Sequence, residues 1–235
     1  MSTPEDKEAD PFYQQFRTFE NHYLNLTITW TVFRVLYQDP TNVVTINEAA
    51  RTTFHEIGRS LVEHLLIQLG RLTDRPIEGK AEYLSLRMLC REMERCLAIS
   101  TRVTPEPYLF AERNHGKPMQ SRAERDTAFL SEVGSMLTRL EPTLAKLHKH
   151  RNKWIAHLDF NHAIEPSRQP LPALPFLELD EAIETIGGIL KTVSSYFWQA
   201  GPSYHYPYMR DPEELVAVLR LGIQSRTSRQ VGNQD

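Results

Sequence analysis

Large apolar residues between positions 12 and 37 recur in alternating steps of four and three, and this stripe constrains the fold more than any other feature. Such spacing places all of them on one face of an α-helix. Residues Leu26 to Val32 also alternate with threonines, which alone is typical of a β-strand, but the longer register favours a helix. The members of the stripe are Phe12, Phe16, Phe19, Tyr23, Leu26, Trp30, Phe33 and Tyr37.

A second apolar stripe predicts another long helix, which stops before Pro76 because proline cannot continue the helical hydrogen-bond ladder. Its members are Ala50, Phe54, Ile57, Leu61, Leu65, Leu69 and Leu72. A shorter third helix is predicted from Ala81 to about Ile99. A fourth helix is expected to bury Phe129, Val133, Met136, Leu137 and Leu140.

Proline and aspartate mark the expected boundaries of the later helices. Pro142 suits either the first turn of a fifth helix, ending near Leu158, or a sharp kink. Asp180 is a predicted N-cap for a sixth helix. Asp211, followed by proline and early acids, predicts a short last helix that ends near Ile223.

These elements predict an all-α protein, an antiparallel bundle of long helices with short extra helices at the C-terminal end. We expect one helical domain over residues 11–223, with disordered segments at 1–10 and 224–235. The proline-rich stretch 165–175 is interpreted as an extended connector.

Composition narrows the class of protein further. With 235 residues and 40% hydrophobic content, the chain can bury a core without metal or disulfide staples. No apolar run approaches the roughly 18 residues of a membrane helix, and the charged N-terminus is unlike a signal peptide, so we expect a cytoplasmic protein. Cys90 and Cys96, six residues apart, are interpreted as reduced core residues.

Positive and titratable side chains are concentrated between positions 146 and 157, although the chain as a whole has a formal charge of −3. Any nucleic-acid contact must therefore be a local basic patch. Four of these residues follow steps of four, three and four, which predicts one helix face suited to phosphate. They are Lys146, His150, Lys153 and His157.

The segment Arg151-Asn152-Lys153-Trp154-Ile155-Ala156-His157-Leu158-Asp159 resembles the ribonuclease motif of HEPN proteins, in which an Arg with a polar neighbour precedes a His by four to six residues. It is similar in particular to the abortive-infection U-type branch. Residues Leu69-Gly70-Arg71-Leu72-Thr73-Asp74 are similar to a second block of that branch.

The resemblance implies a homodimeric RNA-cleaving toxin of phage defence or a toxin-antitoxin system, in which an antitoxin is a possible partner. Histidine has a pKa near neutrality and arginine binds phosphate oxygens with a planar fork. We therefore assign His157 as acid or base, Arg151 as phosphate clamp and Asn152 as a positioning group. Lys146, His150 and Lys153 are predicted to bind RNA phosphate, and no metal or cofactor is expected.

Other interpretations remain open. Arg17 with His22, and Arg59 with His64, have the same bare spacing within ordinary helical stripes, so the spacing alone carries little weight. Arg151 can instead pair with Asp159 or Glu141 while His157 caps the helix C-terminus. A non-catalytic HEPN module that binds RNA, nucleotide or a protein is the alternative function.

Overall fold

The computed structural model describes residues 10–74, 84–98, 121–151, 175–198 and 210–231. Over these residues the chain forms six α-helices and no strand, which confirms the predicted all-α class. None of these helices combines the length and the apolar character that crossing a membrane requires. The helices are α1 (Pro11–Tyr37), α2 (Pro40–Thr73), α3 (Leu86–Ala98), α4 (Arg122–His150), α5 (Phe176–Trp198) and α6 (Asp211–Val231).

Short polar side chains begin several helices by accepting hydrogen bonds from backbone N–H groups that have no partner within the helix. Asp10 Oδ1 accepts from Phe12 N at 3.0 Å, and Asp39 Oδ1 accepts from Thr41 N at 2.8 Å. At α4, Ser121 and Glu124 form a reciprocal capping box. These caps explain where α1, α2 and α4 begin.

The first helix is confirmed over the whole aromatic stripe. The second helix is longer than predicted, since it begins at Pro40 and includes a break at Ala50, where φ is −162° and ψ is 71°. The predicted stripe thus corresponds to the part of α2 that follows this break. Ile57, expected to be buried, is 39% exposed.

Helix α4 runs without interruption through Pro142, so the predicted start of a separate fifth helix there is wrong. Leu140, Leu144 and Leu147 are all buried, and this shared apolar face continues on both sides of the proline. Packing of that face outweighs the hydrogen bond that proline cannot donate.

The later helices also differ from their predicted limits. Helix α5 begins at Phe176, so Asp180 lies within the helix and is not its N-cap. Helix α6 begins at Asp211 as predicted but continues to Val231, beyond the expected end near Ile223. Residues 1–9 and 165–174 lie outside the described residues. Of the tail predicted to be disordered, residues 224–231 belong to α6 and residues 232–235 lie outside the described residues.

The chain divides into two compact units, one of Met1–Tyr23 with Leu69–Ser203 and one of Leu24–Gln68 with Tyr204–Asp235. They are called unit 1 and unit 2 below. The single domain expected over residues 11–223 stays a prediction.

In unit 1, α4 and α5 pack against each other in antiparallel directions. Near the start of α4, Phe129 stacks on Tyr196 with ring centroids 4.0 Å apart. Near the end of α4, Lys146 Nζ lies 2.7 Å from Glu178 Oε1, at the start of α5. Residues early in α4 therefore contact residues late in α5, and residues late in α4 contact residues early in α5.

The first part of α1 completes this core. Phe12 contacts Phe197 edge to face, with ring centroids 5.0 Å apart. Further along, the ring of Tyr23 packs closely over Gly187, where a Cβ would collide with the phenol. The α1 and α5 helices thus also run antiparallel, as the bundle prediction requires.

Unit 2 has its own small apolar cluster, formed by Leu36, Ile46, Phe54 and Val216. A polar contact accompanies it, since Arg220 Nη2 donates to Asn42 Oδ1 at 2.6 Å. These contacts hold α6 against α2 within the unit.

The two cysteines lie on α3, and neither forms a disulfide. Cys96 is buried. Burial, reinforced by Glu94, raises the pKa of the Cys90 thiol to about 12. A thiol with such a pKa is protonated at neutral pH and is a poor nucleophile.

Candidate functional site

Arg151 directly follows the last residue of α4 and forms an ion pair with Asp74, which directly follows the last residue of α2. Its Nη1 donates to Oδ1 and Oδ2 of Asp74, each at 2.7 Å. The side chains of Arg151 and Asp74 are 22% and 30% exposed, so the pair is largely shielded from water but still accessible to a ligand. The structure thus joins the two sequence blocks that carry the family resemblance.

Gly70 makes this approach possible. A Cβ built on Gly70 would lie 2.7 Å from Cδ and 2.5 Å from Nη1 of Arg151, closer than side chains pack. Gly70 and Asp74 are four residues apart and share a helix face. One turn of α2 therefore provides both the groove for the arginine side chain and the carboxylate that binds its end.

His148 is the third member of this group. Its Nδ1 lies 3.4 Å from Asp74 Oδ1, and its side chain is 27% exposed. Since His148 precedes Arg151 by three residues, the two share one face of α4. Asp74 therefore faces both an arginine and a titratable imidazole.

A pocket of about 410 Å³ opens beside this group within unit 1. Asp74 and His148 form part of its wall, and Arg87 and Glu141 form another part. Leu144 and Ala145 provide an apolar surface between them. The lining includes Asp74, Arg87, Glu141, Leu144, Ala145 and His148.

The predicted pairing of Arg151 with Glu141 is wrong, because Glu141 binds Arg87 instead. Arg87 Nη2 donates to Glu141 Oε1, and these side chains are 38% and 52% exposed. The other predicted acid for Arg151, Asp159, lies outside the described residues.

Lys146, one of the four residues predicted to share a basic face, lies on another side of α4 from Arg151. Lys146 donates to Oε1 and Oε2 of Glu178, each at 2.7 Å. Positions 146 and 151 are about 140° apart around a helix, so Lys146 and Arg151 point in different directions. His150, the last residue of α4, is partly exposed. The structure therefore pairs Lys146 with Glu178 of α5, on a different side of α4 from the Arg151 ion pair.

Three predicted site residues, Asn152, Lys153 and His157, lie outside the described residues. Their assignments as positioning group, phosphate ligand and acid or base stay predictions. Within the described ranges, no three His, Cys, Asp or Glu side chains are placed to share a metal ion.

Sequence reasoning missed Asp74 and His148 as members of the site. A signal for His148 was present, since its spacing from Arg151 places both on one helix face. For Asp74, the signal was a helical glycine followed four residues later by an acid. The partner of that acid lies 77 positions away in the sequence, so helical spacing could not identify it.

Comparison with known proteins identifies the family. No curated protein and no solved structure matches the chain. The family HEPN_AbiU2, described as AbiU2, matches residues 10–217, which include both sequence blocks and five of the six helices in full. This match, together with the all-α fold, shows that the chain belongs to the AbiU2 family of HEPN proteins.

Proposed function

We propose that this protein is a metal-independent endoribonuclease that acts as a homodimer. The family membership supports an RNA-directed role in abortive infection, and we further propose a toxin of phage defence or of a toxin-antitoxin system, restrained by an antitoxin partner. In this proposal Arg151 binds the scissile phosphate, Asn152 positions it and His157 transfers the proton. Lys146, His150 and Lys153 contribute phosphate contacts along the flanking RNA.

The observation that carries the proposal is the fixed position of Arg151. Its Nη1 meets both oxygens of Asp74 at 2.7 Å, and its aliphatic part crosses α2 at Gly70. A guanidinium held at both points loses little conformational freedom when it binds an anion. Preorganised donors of this kind stabilise the charge that grows on phosphorus in the transition state.

The proposed reaction needs no metal. The 2′-hydroxyl oxygen attacks phosphorus as a base removes its proton, the bond to the 5′-oxygen breaks, and an acid protonates that leaving oxygen. The products are a 2′,3′-cyclic phosphate and a 5′-hydroxyl end. His157 serves as acid or base, and Arg151 binds a non-bridging oxygen.

A homodimer reconciles these roles with helical geometry. Six residues correspond to about 600° of helix, which leaves Arg151 and His157 about 120° apart around one axis. One straight helix cannot direct both side chains at the same phosphate. We propose that Arg151 of one protomer acts together with His157 of the other.

The test measures RNA cleavage by the purified chain and by Arg151→Ala and His157→Ala variants in the presence of a metal chelator. We expect each variant to lose at least about a hundredfold in rate while retaining the helical circular dichroism spectrum. His22→Ala is the matched control, since His22 has the same spacing from Arg17 and is exposed. Equal cleavage by all four proteins would refute the assigned roles.

A non-catalytic HEPN module is the second candidate, because the Asp74 carboxylate already binds Nη1 of Arg151. An arginine so engaged can serve to fasten α4 to α2. Under this alternative the chain binds RNA in a salt-dependent manner and releases no cleaved product on prolonged incubation.

A further inference from the structure

The pocket beside Arg151 contains groups that the proposed cleavage step does not use. Asp74 belongs both to the ion pair with Arg151 and to the wall of this pocket of about 410 Å³. A ligand in the pocket would therefore lie next to the phosphate that Arg151 is proposed to bind. Arg87, Glu141, Leu144 and Ala145 are left without a role in phosphate chemistry.

The chemistry of the lining suits a flat heterocycle with polar edges. Leu144 and Ala145 present an apolar surface, and Ala145 is exposed towards solvent. Glu141 and Arg87 lie side by side on the wall, as a hydrogen-bond acceptor beside a hydrogen-bond donor. Pockets that combine apolar surface with a few polar groups are typical of small-ligand sites, and this volume lies within their usual range.

We propose that this pocket binds a guanine base of the RNA substrate, next to the phosphate bound by Arg151. The inference rests on the proposed ribonuclease function and adds to it a preference for one base. Glu141 accepts hydrogen bonds from the base, and Arg87 donates to it.

Guanine fits this lining better than the other bases because of its donors and acceptors. Its N1–H and N2–H₂ groups are adjacent donors for a carboxylate, and its O6 and N7 are the usual acceptors for arginine. Uracil offers a single N–H donor. On the base-pairing edge of adenine or cytosine, the only donor is one exocyclic amino group. A carboxylate can therefore accept from one group of these bases, but from two groups of guanine.

Glu141 is suited to this role by its exposure. Its side chain is 52% exposed, and its contact with Arg87 uses Oε1. A base can thus approach the carboxylate without displacing a buried ion pair. For the same reason, substitution at this position is not expected to unfold the protein.

The experiment titrates the purified full-length chain with the 3′- and 5′-monophosphates of guanosine, adenosine, cytidine and uridine, by isothermal calorimetry at low salt. We expect a guanosine monophosphate to bind about tenfold more tightly than the uridine nucleotides. Glu141→Gln, which keeps the size of the side chain but removes the charge and one acceptor, should reduce this ratio to about threefold or less.

Glu63→Gln is the matched control. Glu63 is 51% exposed and lies 3.7 Å from an arginine, Arg59, but belongs to unit 2. This variant should keep the full guanosine preference. A preference that survives in Glu141→Gln, or equal binding of all four bases, would overturn the proposal.

A parallel cleavage assay separates this inference from the proposed function. Guanosine preference without RNA cleavage would retain the base site and exclude the nuclease. Cleavage of RNA with equal rates at all four bases, and no nucleotide preference in calorimetry, would retain the nuclease and exclude the guanine site.

Discussion

Both carboxylate oxygens of Asp74 lie 2.7 Å from Nη1 of Arg151, across the ends of two helices that are far apart in the sequence. This contact fixes the arginine where α4 ends. It also places a carboxylate within 3.4 Å of Nδ1 of His148. A single acid thus links the HEPN arginine to a neighbouring histidine and to the pocket beside them.

The first prediction concerns Asp74→Asn, which keeps the size of the side chain and removes its charge. Because Arg151 loses its positioning partner, we expect RNA cleavage to fall by about ten- to a hundredfold, mainly in kcat. The free energy of unfolding should fall by about 1 kcal/mol or less, since the ion pair is partly exposed. Steady-state kinetics and urea unfolding measure the two effects. Unchanged kcat would show that Arg151 does not depend on this carboxylate.

The second prediction compares two helical glycines. In Gly70→Ala, the added Cβ collides with the side chain of Arg151, so the arginine must move and cleavage should fall by at least about tenfold. Gly134→Ala is the control, because no atom lies within 4 Å of its Cβ position. That variant should keep full activity and gain about 0.5–1 kcal/mol in unfolding free energy, as expected for alanine in a helix. Equal activity of the two variants would contradict the proposed role of Gly70.

The aromatic stripe, the end of α2 and the existence of the later helices could be predicted from sequence, because each depends on local spacing or on a proline. The continuity of α4 could not. Pro142 is a local breaking signal, and its effect is overcome by burial of Leu140 and Leu144 on either side. Only the packed structure shows that the residues before and after Pro142 belong to one buried apolar face.

The site was predictable to a smaller extent. The motif in the sequence pointed to Arg151, but the acid that pairs with it, Asp74, is determined by tertiary contact. Spacing placed Lys146 and His150 on one face, yet Lys146 binds Glu178 of α5. Helical spacing establishes which residues share a face, whereas the neighbouring helix determines which charge each one meets.

The third prediction tests the packing of α1 on α5. Gly187 lies against the ring of Tyr23, so Gly187→Ala should lower the free energy of unfolding by about 1–3 kcal/mol through overpacking. The adjacent Gly188 is the control, since its added Cβ would meet only Met136 Sδ at an ordinary 3.6 Å. Chemical denaturation compares the two variants. If Gly188→Ala lost as much stability as Gly187→Ala, the loss would come from adding a methyl group to α5 in general and not from the contact with Tyr23.

The fourth prediction concerns alkaline pH. Burial, reinforced by Glu184, raises the pKa of Tyr23 to about 12. Burial and the hydrogen bond to Asp126 also raise the pKa of Tyr196. An unfolded tyrosine ionises near pH 10 while the folded one stays neutral, so stability present below about pH 10 is lost as pH rises towards 12. Urea unfolding between pH 8 and 11.5 measures this decline.

Tyr23→Phe provides the control for this pH dependence. Phenylalanine cannot ionise, so the variant should lose less stability than the wild type over the same alkaline range, with a difference of about 2 kcal/mol at pH 11.5. Parallel curves for wild type and Tyr23→Phe would exclude Tyr23 as a source of the alkaline loss.

The fifth prediction tests whether the proposed site combines residues of two protomers. Arg151→Ala and His157→Ala proteins, each inactive alone, are mixed under conditions that exchange subunits. If Arg151 of one protomer acts with His157 of the other, each dimer has two such sites. In a mixed dimer one site keeps both Arg151 and His157, and the other site has lost both. Since half of the dimers are mixed at equal concentrations, activity should return to about a quarter of the wild-type rate. Analytical ultracentrifugation establishes the dimer, and mixing Arg151→Ala with the double variant serves as control. If the mixture stays as inactive as its components while dimers form, the arginine and the histidine belong to the same protomer or do not cooperate in catalysis.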